Sequence, residues 1–160
     1  MMKKIVIDGH NLIPKMPGIS LKDMDDEVRL IEVIQEYCRL ARRQAELFFD
    51  GSPEPNRNIK KSGLVHVHFV RIGRTADDAI IEWLRNNGKN ARNMVTVSSD
   101  RRVKAEAHSL GAEVITSEEF TQEVKRVFNS PARTQEMREK PLSSDEVDEW
   151  MELFKQGKNS

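Results

Sequence analysis

Five aspartates and one asparagine stand where chemistry could be done. Asp8 closes the apolar run Ile5-Val6-Ile7 and is followed by Gly9 and Asn11, and Asp50 closes Leu47-Phe48-Phe49 and is followed by Gly51. Asp100 comes after Met94-Val95-Thr96-Val97 and the pair Ser98-Ser99, while Asp77 and Asp78 stand side by side behind Thr75. Each has an ordinary structural reading. Asp8 and Asn11 suit a turn, Thr75 with Asp78 suits a capping box, and Asp100 suits a helix N-cap. Three apolar runs ending near an acid are less ordinary, because open α/β sheets bind ligands at the carboxyl ends of their strands. Carboxylates gathered there repel one another, and the compensation expected is a divalent cation. All-oxygen ligands favour Mg²⁺ or Mn²⁺. Such an ion activates water and stabilises charge on a phosphate. Ser98, Ser99 and Asn11 could orient water or phosphate oxygens, and Arg71, Arg74, Arg101 and Arg102, close to the acids in sequence, could receive a phosphodiester chain. The chemistry read from the residues is metal-dependent phosphodiester hydrolysis, with Asp8, Asp50, Asp77, Asp78 and Asp100 as metal ligands.

The elements that must position these groups alternate in type. After the first strand and a Pro/Gly-containing loop from Pro14 to Lys22, an acidic start at Asp23, Asp25, Asp26 and Glu27 opens a helix with apolar residues at Val28, Ile31, Ile34, Cys38, Ala41 and Ala45, a period near 3.6. Basic residues end it, as the helix dipole prefers. The second strand ends at Asp50, and Ser52 to Gly63 reads as an exposed loop. A third strand, Leu64 to Val70, alternates, with His66 and His68 on one face. Histidines two apart suit a metal, yet no third soft ligand is evident, and a half-buried or edge strand explains them. A helix from Thr75, a strand at Met94–Val97, a helix from Arg101, a strand at Glu113–Ile115 and a helix capped by Thr116 and Glu119 complete residues 1–128. Residues 129–142 read as a linker, and 143–160 as a C-terminal amphipathic helix and tail with Val147, Trp150, Met151 and Phe154 on one stripe. Right-handed crossovers then give an α/β fold with a mostly parallel sheet and helices on both faces.

Composition narrows the class. The chain has 160 residues, 38% hydrophobic and 32% charged, with 26 charges of each sign and hence no net charge. Overall basicity does not announce a nucleic-acid partner, so that role rests on local arginine clusters: Arg39, Arg42 and Arg43; Arg71 and Arg74; Arg101, Arg102 and Lys104. Cys38 is the only cysteine, which excludes an internal disulfide and a multi-cysteine zinc site. With neither a signal-peptide core nor an apolar run of membrane-spanning length, the expectation is a cytoplasmic protein without membrane contact. Oligomeric state is open, with a monomer favoured.

The run Ile-Val-Ile-Asp-Gly-His-Asn-Leu-Ile from residue 5, Phe-Phe-Asp-Gly at 48–51, Thr-Ala-Asp-Asp at 75–78 and Val-Ser-Ser-Asp-Arg at 97–101 together resemble the NYN-domain proteins. These are PIN-like ribonucleases, and the similarity is greatest to their YacP-like bacterial branch. It covers residues 3 to 128, and Glu-Trp-Met-Glu-Leu-Phe near the C-terminus is similar to tails of that branch. The resemblance implies a PIN-like (Rossmann-like) three-layer fold of about five strands in the order 3-2-1-4-5, an acidic Mg²⁺ or Mn²⁺ site, and endoribonuclease activity on RNA, free or within a larger assembly such as the ribosome. By position, Asp8, Asp77 and Asp100 match the central acids, Asn11 the first-strand asparagine, and Asp50 and Asp78 accessory acids. His10 departs from the pattern, where tyrosine is more usual. Asp77 is favoured over Asp78 as the inward acid, since Asp78 has a capping role available.

Other readings fit less well. A dinucleotide-binding protein would carry G-x-G-x-x-G after the first strand. A haloacid-dehalogenase-like phosphatase would carry an acid where His10 stands, and a receiver domain would lack the long loop after Asp50 and the acids at 77 and 78. The rival from another class is a catalytically idle PIN-like module that binds RNA or a protein as a regulator. A negatively charged crevice gains such a module nothing, and only the nuclease requires a divalent ion.

Overall fold

The computed structural model describes residues 3–16, 26–52 and 59–130. Among them lies a six-stranded sheet, β3-β4-β2-β1-β5-β6 in spatial order. Its strands are β1 (Lys4–Asp8), β2 (Ala45–Ser52), β3 (Ile59–Ser62), β4 (Val65–Arg71), β5 (Met94–Val97) and β6 (Glu113–Ile115). The helices are α1 (Gly9–Leu12), α2 (Asp26–Ala41), α3 (Ala76–Asn87), α4 (Arg101–Ser109) and α5 (Ser117–Phe128). The expected 3-2-1-4-5 order is the parallel set β4-β2-β1-β5-β6.

One departure is at the edge. Part of the segment read as an exposed loop, Ile59 to Ser62, pairs antiparallel with β4, so β4 has a partner on both sides. Of the loop expected from Pro14 to Lys22, the described part ends at Met16 and includes a 3₁₀ turn over Ile13–Lys15. The linker beyond residue 130 and the amphipathic helix at 143–160 lie outside the described residues.

The sheet buries both faces, as continuous β-branched runs require. Ile5, Ile7, Leu47, Phe49, Val65 and Val67 pack with Leu30, Ile34, Tyr37 and Cys38 of α2 and with Phe120 and Val124 of α5. On the opposite face Val6, Phe48 and Val70 meet Ile80, Ile81 and Leu84 of α3 and Val103 and Ala107 of α4. Periodicity alone misplaces two apolar positions of α2. Val28 is 49% exposed, since the buried stripe runs through Leu30, Val33, Ile34, Tyr37 and Cys38, and Ala45 belongs to β2. Cys38 is core, and burial pushes its thiol up to about 12, which leaves it inert. No described helix is long and apolar enough to cross a membrane.

Register fixes what stands at the carboxyl edge. Asp8 faces Phe48 across β1 and β2, and Ile7 faces Val97 across β1 and β5. The residues just beyond these pairs, Asp50 and Ser98 to Asp100, therefore emerge beside the end of β1. Gly9 lets the chain turn there against β2, because a β-carbon on it would lie 2.3 Å from the Phe49 ring and 3.0 Å from the Phe48 carbonyl oxygen.

Candidate active site at the carboxyl edge of the sheet

Asp8 ends β1 almost fully buried, at 6% exposure. Its Oδ1 accepts the Asn11 backbone N–H at 3.3 Å, so the strand's last residue caps α1. The carboxyl of Asp77, in the first turn of α3, comes within hydrogen-bonding reach of it. Burial first, then the hydrogen bond and charge of Asp77, and lastly the charge of Asp50, push the Asp8 carboxyl up to about 7 against the pull of the Asn11 amide. Asp8 therefore keeps its proton towards neutral pH unless a cation takes its place.

Asp78 takes a different course. Thr75 caps α3 by accepting the Asp78 N–H at 3.1 Å, and the Asp78 carboxylate pairs with Arg102 at the start of α4. Asp77 is thus the acid turned to Asp8, and Asp78 the acid that links α3 to α4. The capping-box reading holds for the Thr75 half only, since the Asp78 side chain is spent on Arg102.

Asp50 leads to a residue that sequence reasoning underrated. His10 Nδ1 lies 2.7 Å from Asp50 Oδ1, and its Nε2 lies 2.9 Å from Glu27 Oε2. Both ring nitrogens face carboxylates, so both carry protons and the ring is a cation. The hydrogen bond to Glu27, aided by that to Asp50, overrides burial and lifts its pKa to about 9. Glu27 reads in the sequence as one more acid at a helix start. Its signal was its place in the first turn of α2, which returns to the sheet edge.

The β5 side is a web of short hydrogen bonds. Asn11 Oδ1 accepts the Ser99 backbone N–H at 3.0 Å and the Ser117 hydroxyl at 2.5 Å, which ties the end of β1 to β5 and α5 and fixes which way the amide points. Ser98 is fully buried, and its Oγ accepts the Asp100 N–H at 3.1 Å. Ser99 Oγ donates to Glu118 and accepts from Ser117 N–H. Asp100 is the N-cap of α4, its Oδ1 accepting from Arg102 and Val103 N–H at 2.9 and 3.1 Å.

A cavity of about 380 Å³ opens beside this edge between β2, β4 and α3, with Phe48, His68, Arg71, Arg74 and Trp83 in its wall. The His68 ring stacks on Phe48 at 4.3 Å between centroids. Arg74 reaches Glu82, and Arg71 is exposed. Arg101 and Arg102 are exposed at the start of α4. Two of the three arginine clusters therefore border the acid edge. The cluster at 39–43 does not: Arg42 and Arg43 line a groove at the opposite end of the sheet with Lys3 and Lys4.

Comparison with known proteins follows the same outline. The family model for the YacP-like NYN domain matches residues 5–155. The fold is similar to that of Rae1 (YacP) from Bacillus subtilis, with a TM-score of 0.71 at 21% identity over 98% of this chain and 93% of that one. The W164L mutant of the same protein superposes with a TM-score of 0.66 at 20% identity, over 95% and 92% of the two chains. No curated protein matches the chain.

Proposed function

Because the chain belongs to the YacP-like NYN domain family, we propose that the acid edge is the active centre of a divalent-metal-dependent endoribonuclease that hydrolyses phosphodiester bonds. The observation that carries this reading is the approach of the half-buried Asp77 carboxyl to the buried Asp8 carboxyl at the carboxyl end of β1, with Asp50 close by. The donor set is all oxygen at this point, which fits Mg²⁺ or Mn²⁺. Asp8 and Asp77 would hold the ion, with Asp50 and Asp100 as neighbouring acids and Asp78 further out on Arg102. When bound, the ion supplies positive charge against the phosphate and lowers the pKa of a water.

The protein's own groups do the rest. Asn11, held by Ser99 and Ser117, keeps the end of β1 in register with β5, so that Asp8 and Asp100 hold a fixed separation. His10 balances Asp50 and Glu27, which limits the negative charge an incoming polyanion meets. Arg71 and Arg74 on one side and Arg101 and Arg102 on the other would grip phosphates of the RNA, while Trp83 in the cavity wall offers an aromatic surface for a base. The substrate is RNA, met free or within a larger assembly such as the ribosome.

The test is cleavage of labelled single-stranded and hairpin RNAs with and without Mn²⁺ or Mg²⁺. Cutting should require the ion and fall by at least about 10²-fold in Asp8→Asn and in Asp77→Asn. Cutting that persists in chelator, or in either variant, would overturn the metal-dependent reading. Absence of Mn²⁺ binding by calorimetry would leave a module that only binds RNA.

A further inference from the structure

Away from the acid edge, three ligand-bearing side chains converge on the α3 face of the sheet. Glu46 on β2 stands directly opposite His66 on β4, and His68 follows two residues on, so strand alternation aims all three to one side. One ligand atom from each lies within 4.8 Å of the other two. Glu46 Oε1 is 2.6 Å from His68 Nε2 and 3.3 Å from His66 Nδ1. For metal–ligand bonds of about 2.0–2.1 Å in a tetrahedron, neighbouring donors lie about 3.3 Å apart, so the His66 spacing already suits an ion and the His68 hydrogen bond marks where a proton substitutes for it.

The surroundings suit the same purpose. Glu46 is 4% exposed. Its second oxygen, Oε2, faces Lys4 Nζ at 3.2 Å, a partner of the kind that orients a ligating carboxylate from behind. His68 is locked by its stack on Phe48. Side-chain exposure rises from 5% at Glu46 through 14% at His68 to 42% at His66, so the cluster is walled by protein on one side and open to water on the other.

We propose that Glu46, His66 and His68 form a second metal site, distinct from the acid edge, which takes a borderline transition-metal ion, Zn²⁺ foremost, with water in the remaining position. Two imidazoles and one carboxylate select such an ion over Mg²⁺, which prefers an all-oxygen shell. The bound ion cross-links β2 to β4 and fixes His68, a wall of the cavity beside the active centre.

Co²⁺ is the probe, because a four- or five-coordinate nitrogen-and-oxygen site gives visible bands far stronger than a six-coordinate oxygen site does. Chelator-stripped full-length protein titrated with Co²⁺ should develop these bands to one equivalent, and added Zn²⁺ should bleach them. Asp8→Asn should leave them unchanged, whereas His66→Ala and His68→Ala should each abolish them. Should His68→Ala fail to fold, the half-exposed His66 decides alone, with its melting curve as the folding control. No bands in the parent protein, bands that survive His66→Ala, or bands lost in Asp8→Asn would each overturn the proposal. RNA cleavage enters none of these readouts, so the outcome stands apart from that of the nuclease assay.

Discussion

At the scale of single residues, the folded protein holds protons that its unfolded chain would release. Asp8 has its pKa raised from 3.8 to about 7, so its contribution to stability is full below 3.8 and lost as pH rises through 7. His10 has its pKa raised from 6.5 to about 9, and its contribution is full below 6.5 and lost as pH rises through 9. Without divalent ions the stability curve should therefore fall from about pH 4 to pH 9, by as much as about 1.4 kcal/mol per pH step where one group dominates. Denaturant melts across that range check it. Mn²⁺ should flatten the fall below pH 7, and Asp8→Asn should remove it there while making the metal-free protein more stable at neutral pH. A second residue carries its own expectation. Thr96 Oγ1 is buried on β5 without a hydrogen-bond partner among the described residues, so Thr96→Val should raise stability by about 1 kcal/mol in a denaturant melt. The acids at strand ends were legible in the sequence because Asp-Gly after an apolar run has few structural uses. The roles of Glu27 and Glu46 were not. Glu27 stands 17 positions from His10, and Glu46 stands 22 from His68, so only the fold brings each pair together.

At the scale of elements, the turn from β1 into α1 has no room to spare. Gly9→Ala would drive a β-carbon into the Phe49 ring and against the Phe48 carbonyl. The expected cost is about 1–3 kcal/mol, with metal binding at Asp8 failing in step, since the same turn orients its carboxylate. Thermal melts and Mn²⁺ calorimetry on one sample check both. Helices α3, α4 and α5 start where their N-cap residues Thr75, Asp100 and Thr116 stand, and capping chemistry is local, so these starts could be read directly. The phase of α2 could not. A period of 3.6 says that one stripe is buried, but which stripe depends on the sheet beneath it, and Val28 fell on the solvent side. Likewise Ile59-Lys60-Lys61-Ser62 has no alternating pattern, and its strand form comes from pairing along the outer side of β4.

At the scale of the whole molecule, a chain with no net charge binds a polyanion only through local fields. RNA affinity should fall steeply with salt. Arg71→Ala with Arg74→Ala should lower both the affinity and the slope of its salt dependence, by about 0.7 for each phosphate that is no longer neutralised. Filter binding of a single-stranded RNA between low and moderate salt measures this, with Arg42→Ala, at the far end of the sheet, as the control expected to change it least. The antiparallel strand β3 has a consequence of another kind. A parallel sheet ending on β4 would leave a seven-residue row of amides and carbonyls available to a neighbouring molecule, and such rows seed domain swapping and fibrils. β3 occupies that row with four residues. At the other border β6 is only three residues long. A short strand therefore stands at each border of the described sheet, a form that gives a neighbouring molecule little edge to extend.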